Sequence, residues 1–261
     1  MTEPLGLVPI TTGTRHVVLV GDHKQLPPSV NYQASLEGYS ESLFARLAKM
    51  IKPSILDTQY RSHPLIMSIS SKLFYNNELK HGRLVSEIPP IPGVKWNENK
   101  DGEYLPVAFI NSDHFESNND GRSKVNESEG KIVVNLVKKL ISKNHLHPKD
   151  IGVISPYSGQ NRFLRNRLES DGINVEINSV DAYQGREKEL IVFSATRANT
   201  RASIGFLKDP RRFNVMHTRA KRGLIIVGNR KTLSCDETWK KWFEWVDEHG
   251  LTVKSVKKFI V

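Results

Sequence analysis

Short apolar runs without polar alternation recur along this chain. They are His16-Val-Val-Leu-Val20, residues 107–110, Ile151-Gly-Val-Ile154, residues 190–195 and Leu224-Ile-Ile-Val227, and residues 175–177 read as a further short strand although Glu176 interrupts the apolar pair. Runs of this kind predict strands covered on both faces. Between them apolar residues fall at helical spacing. Residues 41–50 carry Leu43, Phe44, Leu47 and Ala48, and residues 65–74 open behind Pro64, a favoured first-turn residue. Asn126-Glu-Ser-Glu129 has the pattern of a capping box, and the helix it opens sets Ile132, Val133, Leu136, Val137, Leu140 and Ile141 on one face. Another helix turns Phe163, Leu164 and Leu168 inward and stops at Asp171-Gly172, and residues 210–221 predict one more, with Asp209 able to cap it. Residues 97–102 and 116–124, rich in Asn, Ser, Asp and Gly, read as surface loops. Strand and helix alternate, so the expected class is α/β: a mainly parallel sheet flanked by helices.

Near the C-terminus Trp239, Trp242, Phe243 and Val246 fall at i, i+3, i+4 and i+7. Such a stripe could stack bases, but a packing helix is the better reading.

Composition narrows the classes. The 261 residues, 38% of them apolar, suit one large or two small globular domains. Lys plus Arg is 38 against 28 for Asp plus Glu, a formal charge of +10 that favours a polyanionic partner. A solvated Lys-rich face explains the same excess, so charge alone does not choose. The single cysteine, Cys235, excludes an internal disulfide framework and suits a reducing compartment. Of nine histidines only His145 and His147 are close, without Cys or carboxylate at ligand spacing, so no metal site is expected. Met1-Thr-Glu-Pro lacks the features of a secretory signal, and no apolar run approaches the ~20 residues of a membrane span. Cytoplasm or nucleus is the expected compartment.

Candidate chemistry concentrates between residues 178 and 223, where polar and cationic groups crowd the ends of the apolar runs. Strand ends are where open α/β sheets bind ligands, and so many arginines there point to a polyanion. Arg212 and Arg219 stand seven residues apart, so two turns of that helix put both on one face. Complementing a helix dipole would explain one or two of the cations after Thr218, but not Arg212 or the distant Arg61. In Gln184-Gly-Arg-Glu187 the glycine lets a backbone approach a ligand, the carboxylate can accept from sugar hydroxyls, and the arginine can bind phosphate.

Five such segments occur in order: Gly21-Asp-x-x-Gln-Leu-Pro-Pro, Gln59-Tyr-Arg-x-His-Pro, Ser155-Pro-Tyr-x-x-Gln160, Ser-Val-Asp-x-Tyr-Gln-Gly-Arg-Glu-Lys188 and Arg-Arg-Phe-Asn-Val-x-x-Thr-Arg-Ala-Lys221. In order and spacing they resemble the later motifs of superfamily-one helicases, and most nearly the Upf-type subgroup, typified by the RNA helicase of nonsense-mediated decay. The resemblance runs through nearly the whole chain. It implies two RecA-like, P-loop NTPase-like domains with ATP and Mg2+ between them, and 5′→3′ movement on single-stranded RNA or DNA. It further implies that Gln25 senses the γ-phosphate, that Tyr60 stacks on adenine, and that Arg61 and Arg219 reach the phosphates. Glu187 would hold the ribose, Gly185 would lie by the γ-phosphate, and Asp22 would link to the magnesium side. Ser155, Pro156, Tyr157 and Ser179 would face nucleic acid. Proteins of an RNA-processing or decay pathway are further partners such a family suggests.

The departures are as informative. The chain has no Gly-x-x-x-x-Gly-Lys-[Ser/Thr] segment; its Gly130-Lys131 has Val125 where the first glycine belongs. It has no Walker B Asp-Glu pair either. The expectation is therefore that residues 1–52 are the last part of a first RecA-like domain and 53–261 a complete second one. On that reading the chain alone is inactive. The alternative is a stand-alone nucleic-acid-binding or regulatory module that has lost ATPase activity. His217, where an apolar or small residue is common in the motif, is expected to serve packing.

Overall fold

The computed structural model describes residues 1–119 and 123–260. It divides into two compact units, Met1–Leu56 and Asp57–Val261.

The first unit consists of short helices, Glu3–Thr11, Tyr32–Leu36 and Leu43–Leu47, joined by irregular chain. Asn31 and Ser42 cap the latter two by accepting from Ala34 N (2.8 Å) and Ala45 N (3.1 Å). Residues 16–20 do not form the expected buried strand: Val18 and Val20 are 85% and 88% exposed. A strand needs a neighbour to satisfy its backbone, and among the described residues of this unit there is no other strand to pair with.

The second unit is built on a five-stranded sheet of β1 (Val107–Asn111), β2 (Ile151–Ile154), β3 (Glu176–Asn178), β4 (Lys188–Ser194) and β5 (Ala220–Gly228). Its order is β1-β5-β4-β2-β3, and every pair is parallel. The expected α/β class is thus what the chain adopts. The longer helices are α1 (Pro64–Phe74), α2 (Glu127–Ser142), α3 (Ser158–Glu169), α4 (Pro210–His217) and α5 (Glu237–Glu248). Val133, Leu136, Val137 and Leu140 of α2 and Leu164 and Leu168 of α3 meet Ile151, Val153, Leu190 and Val192 in one buried cluster. Each such side chain contributes about 1.5–3 kcal/mol on full burial. Ile132, Ile141 and Phe163, expected on the inward faces, are only partly buried at the margin of that cluster.

Three local expectations change. Asn126 does cap α2, accepting from Glu129 N at 3.0 Å, but the Glu129 side chain does not return to complete a capping box. The Asn126 N–H is taken by Gln160 Oε1 (2.9 Å), which leaves Glu129 to turn into the core. The helix expected over 210–221 stops at His217, because the chain from Ala220 is drawn into the sheet beside β4. Arg219 is therefore in the connection and does not share a helix face with Arg212. The loop around 116–124 begins and ends as a hairpin, Ser117–Asn119 with Ser123–Val125; its centre, residues 120–122, lies outside the described residues.

The aromatic stripe of α5 is core. Trp239, Trp242, Phe243 and Val246 are all buried, and Phe109 of β1 packs edge-on against Trp242 (5.7 Å) and Phe243 (4.9 Å). His217 is buried in the same layer, stacked on Phe213 at 5.5 Å, and burial pushes its imidazole down to about 3, so it stays neutral there. Among the described residues no helix is long and apolar enough to cross a membrane. Trp242→Ala should cost about 3–5 kcal/mol of unfolding free energy, read from urea denaturation; a loss below about 1 kcal/mol would show that α5 does not carry the sheet's outer face.

Candidate functional site

β4 has neighbours on both sides, so only its ends are open to chemistry. Its seven residues, at ~3.3 Å each, separate the two edges of the sheet by about 20 Å. The residues singled out between 178 and 223 divide between those edges. Glu187, Lys188, Arg219 and Lys221 stand where β4 and β5 begin, whereas Ser155, Ser179 and Thr196 stand just beyond the ends of β2, β3 and β4. The stretch that sequence proximity suggested as one polyanion site is thus divided between opposite edges of the sheet.

At the starting edge, Gln59 shapes the turn that carries Tyr60 and Arg61. Its side-chain oxygen accepts from Arg61 N (2.9 Å) and Ser62 N (2.8 Å), and its amide donates to Ser62 O (2.8 Å). His63 N donates to Lys221 O (2.9 Å) and Ser62 Oγ to Ala220 O (2.6 Å), which ties this turn to β5. Tyr60 is 65% exposed, and one side of its ring lies over Gly82, where a Cβ would come within 2.0 Å of it. Arg61 Nε donates to Glu187 Oε2, and Lys221 Nζ lies 3.1 Å from Glu187 Oε1 and 3.5 Å from Glu189. Partial burial raises the Glu187 carboxyl, but hydrogen bonds from Arg61 and Lys221 outweigh it and hold the group below the usual carboxylate range. Gly185, in an exposed turn at φ 79°, adopts a conformation that L side chains resist.

Arg219 is oriented differently from the other cations. It is 2% exposed and donates to Val215 O (2.9 Å), Thr218 Oγ1 (2.7 Å) and Arg186 O (3.4 Å). Arg61 Nη1 reaches Thr218 O at 3.5 Å, so both arginines contact Thr218. In this conformation Arg61 is at the surface, while Arg219 clamps the end of α4 to the turn before β4.

At the finishing edge, Ser155 and Tyr157 are buried, and only Pro156 and Ser179 of the four expected strand contacts are partly exposed. The buried pair is occupied internally. The Ser155 and Thr196 hydroxyls are 3.0 Å apart, and Tyr157 OH donates to Ile204 O at 3.1 Å and lies 3.1 Å from Arg197 Nη1. Arg197 is held in turn by Glu116, which also accepts from Ala198 N (2.7 Å) and Asn199 Nδ2 (3.0 Å). Beneath them Glu129 Oε1 accepts from Ser194 Oγ (2.6 Å) and Thr196 N (2.7 Å), stabilising Thr196 at φ 68°. Its Oε2 is buried without a partner among the described residues, and burial drives the carboxyl up to about 8, with Glu116 adding a smaller push.

In the first unit, Asp22 and Gln25 share one tight turn. Asp22 Oδ2 accepts from Gln25 Nε2 (2.8 Å), and Oδ1 accepts from Lys24 N (2.9 Å).

Sequence reading missed Lys221 as a partner of Glu187, the seat of Tyr60 on Gly82, and the Glu129–Thr196 support. Lys221 was visible only as a charge at an expected helix end. Gly82 and Glu129 lie at 22 and 67 residues from the groups they serve, and no local pattern connects them.

Comparison with known proteins places the chain by family. A model described as an AAA domain matches residues 39–231 and a second, also an AAA domain, matches residues 1–32; the chain belongs to this family. Its relatives are of the Upf type. The Regulator of nonsense transcripts 1 of Caenorhabditis elegans is 43% identical over 248 residues, 91% of this chain and 23% of that protein. An uncharacterized ATP-dependent helicase of Methanocaldococcus jannaschii is 40% identical over 251 residues, covering 93% and 36%. The ATP-dependent helicase NAM7 of Saccharomyces cerevisiae is 37% identical over 264 residues, covering 97% and 27%. The chain spans well under half the length of each of these relatives.

The Glu129 carboxyl has a testable sign. Its folded value of about 8 stands above the ordinary 4.5, so its contribution to stability is full below pH 4.5 and is lost as pH rises through 8. Glu129→Gln cannot titrate, so its melting temperature should gain on that of the wild type from pH 5 to pH 8. A variant melting temperature that stays level with the wild type's, or falls relative to it, over that range would mean Glu129 is charged in the fold.

Proposed function

We propose that this chain supplies the second-domain wall of the ATP cleft, together with a strand-binding edge, in an ATP-dependent 5′→3′ helicase acting on single-stranded RNA or DNA. The observation that carries this reading is the grouping of Tyr60, Arg61, Glu187 and Lys221 where β4 and β5 begin. An exposed ring and two cations sharing one carboxylate suit a ligand with a flat base and several negative charges. The free side of Tyr60 can stack on adenine, with Gly82 fixing the ring from behind.

Arg61 and Lys221 are both about one-third exposed, and ion pairs so placed are worth about 0–1 kcal/mol. Exchanging Glu187 for phosphate oxygens is therefore cheap, and the released carboxylate is free to accept from ribose hydroxyls. Gly185 would lie by the γ-phosphate. Arg219 would act as the second arginine finger by leaving the carbonyls of Val215 and Arg186; until then it orders the Gly185–Arg186 turn. Gln25, braced by Asp22, would sense the γ-phosphate from residues 1–52, read as part of a first RecA-like domain. Mg2+ bound with ATP would neutralise charge on the phosphates, and Asp22 would link the Gln25 turn to that side. At the opposite edge Pro156 and Ser179 would touch the strand, and Ser155 and Tyr157 would support them from below.

In a fusion that adds a complete first RecA-like domain, Arg61→Ala and Arg219→Ala should lower ATP turnover by about 10³–10⁵ while leaving single-strand affinity within a few fold. Equal loss of strand binding would make these arginines backbone contacts. The 261-residue chain by itself should show no turnover stimulated by single-stranded RNA; turnover abolished by Arg219→Ala would refute that. Gly82→Ala in the fusion should raise KM for ATP and leave strand affinity unchanged, and an unaltered KM would remove Tyr60 from the adenine site.

A further inference from the structure

We propose that Phe206 is a base-stacking platform for single-stranded nucleic acid, presented by Tyr157 and Arg212 at the finishing edge of the sheet; the proposal rests on the strand-binding role of that edge. Phe206 is 57% exposed, although Ile204 and Leu207 beside it are buried. A lone exposed apolar residue is ordinary. What distinguishes this one is its mounting.

The turn bearing Phe206 is pinned on both sides. Ile204 O accepts from Tyr157 OH (3.1 Å) and from Leu207 N (3.2 Å), and Leu207 O accepts from the indole of Trp239 (3.2 Å). Gly205, at φ 55°, sits so close to Arg197 and Tyr157 that a Cβ would come within 2.5 Å of both. The ring is therefore exposed on a fixed backbone, and little ordering entropy would be lost when a base settles on it. Tyr157 packs against it at 5.6 Å, tilted by 50°, and the Arg212 guanidinium lies 5.6 Å from its centre.

That position bridges the two segments expected to meet the strand. Tyr157 comes from the turn after β2, and Arg212 is paired at 3.2 Å with Asp181, two residues beyond Ser179. Pro156, Val180, Phe206 and Arg212 line one small depression. Asp181 and Asp209 hold Arg211 and Arg212, and Lys208 adds a further cation in the same segment, so the surroundings favour a negatively charged backbone. Tyr157 itself is buried and cannot stack on a base; the aromatic surface it supports can.

The test is the affinity of the 261-residue chain for a labelled oligouridylate, measured by fluorescence anisotropy across a salt series. Phe206→Ala should weaken binding by roughly five- to a hundredfold. Phe206→Trp should keep wild-type affinity and Phe206→Leu should not, since stacking needs a ring. The slope of log affinity against log salt should not change, because no phosphate contact is removed. On an abasic oligomer the wild type and Phe206→Ala should bind alike. Equal binding of Phe206→Ala and wild type to the oligouridylate would overturn the platform while leaving the strand edge intact, and would point to a protein partner for the exposed ring. Full rescue by leucine, or a gap that persists on the abasic oligomer, would also overturn it. Absence of any salt-dependent binding by the wild type would refute the strand-binding edge and the platform together.

Discussion

The pairing of β4 between β5 and β2 is the constraint on which the rest of this structure depends. Leu190, Ile191, Val192 and Phe193 are hydrogen-bonded to neighbours on both sides and buried on both faces. Nothing charged can be placed along such a strand without an uncompensated desolvation cost, so polar groups gather at its two ends. That is why one continuous stretch of sequence places polar groups at both edges of the sheet. Lys188 N donates to Arg219 O at 3.0 Å where β4 starts, and Thr196 N donates to Glu129 where it finishes.

The two edges are supported in contrasting ways. At the starting edge the charges other than the buried Arg219 are partly exposed and share partners, with Arg61 and Lys221 on Glu187 and Lys221 and Arg222 near Glu189. Pairs of that kind exchange readily, as a proposed nucleotide site requires. At the finishing edge the support is buried and directional. The Glu129, Ser194, Thr196 and Ser155 bonds fix one geometry, including a backbone conformation at Thr196 that costs of order 1–3 kcal/mol and persists only where its surroundings enforce it. A rigid edge suits the mounting of Phe206 above it.

Buried histidines show how the same core treats titratable groups. His63 caps α1 by accepting from Leu65 N at 3.1 Å, and burial pushes its ring down to about 4, with His81 adding a smaller effect. His217 goes lower because it is more completely buried, with Phe213 and Trp245 against the ring. Both rings are held neutral near pH 7, one as an acceptor in a cap and the other as packing, which is the use expected for His217 from its place in the motif.

Much of the fold was legible in the chain itself. Apolar runs such as Ile151–Ile154 mark buried strands because a parallel sheet covers both faces, and helical spacing marks α2 and α3, since periodicity is a local consequence of backbone geometry. The order of five motifs was equally a property of the sequence, and it gave the family. Tertiary structure decided what spacing cannot express. Arg219 left the helix because β5 claims the chain from Ala220. Ser155 and Tyr157 turned inward because Thr196, Arg197 and Ile204, some 40 residues away or more, offered them partners. Residues 16–20 carry a strand's pattern without a strand's neighbour, for pattern specifies which face is apolar, while pairing depends on a second segment arriving beside it. Phe206 and Gly82 owe their proposed roles entirely to what the fold set against them, Tyr157 in one case and Tyr60 in the other.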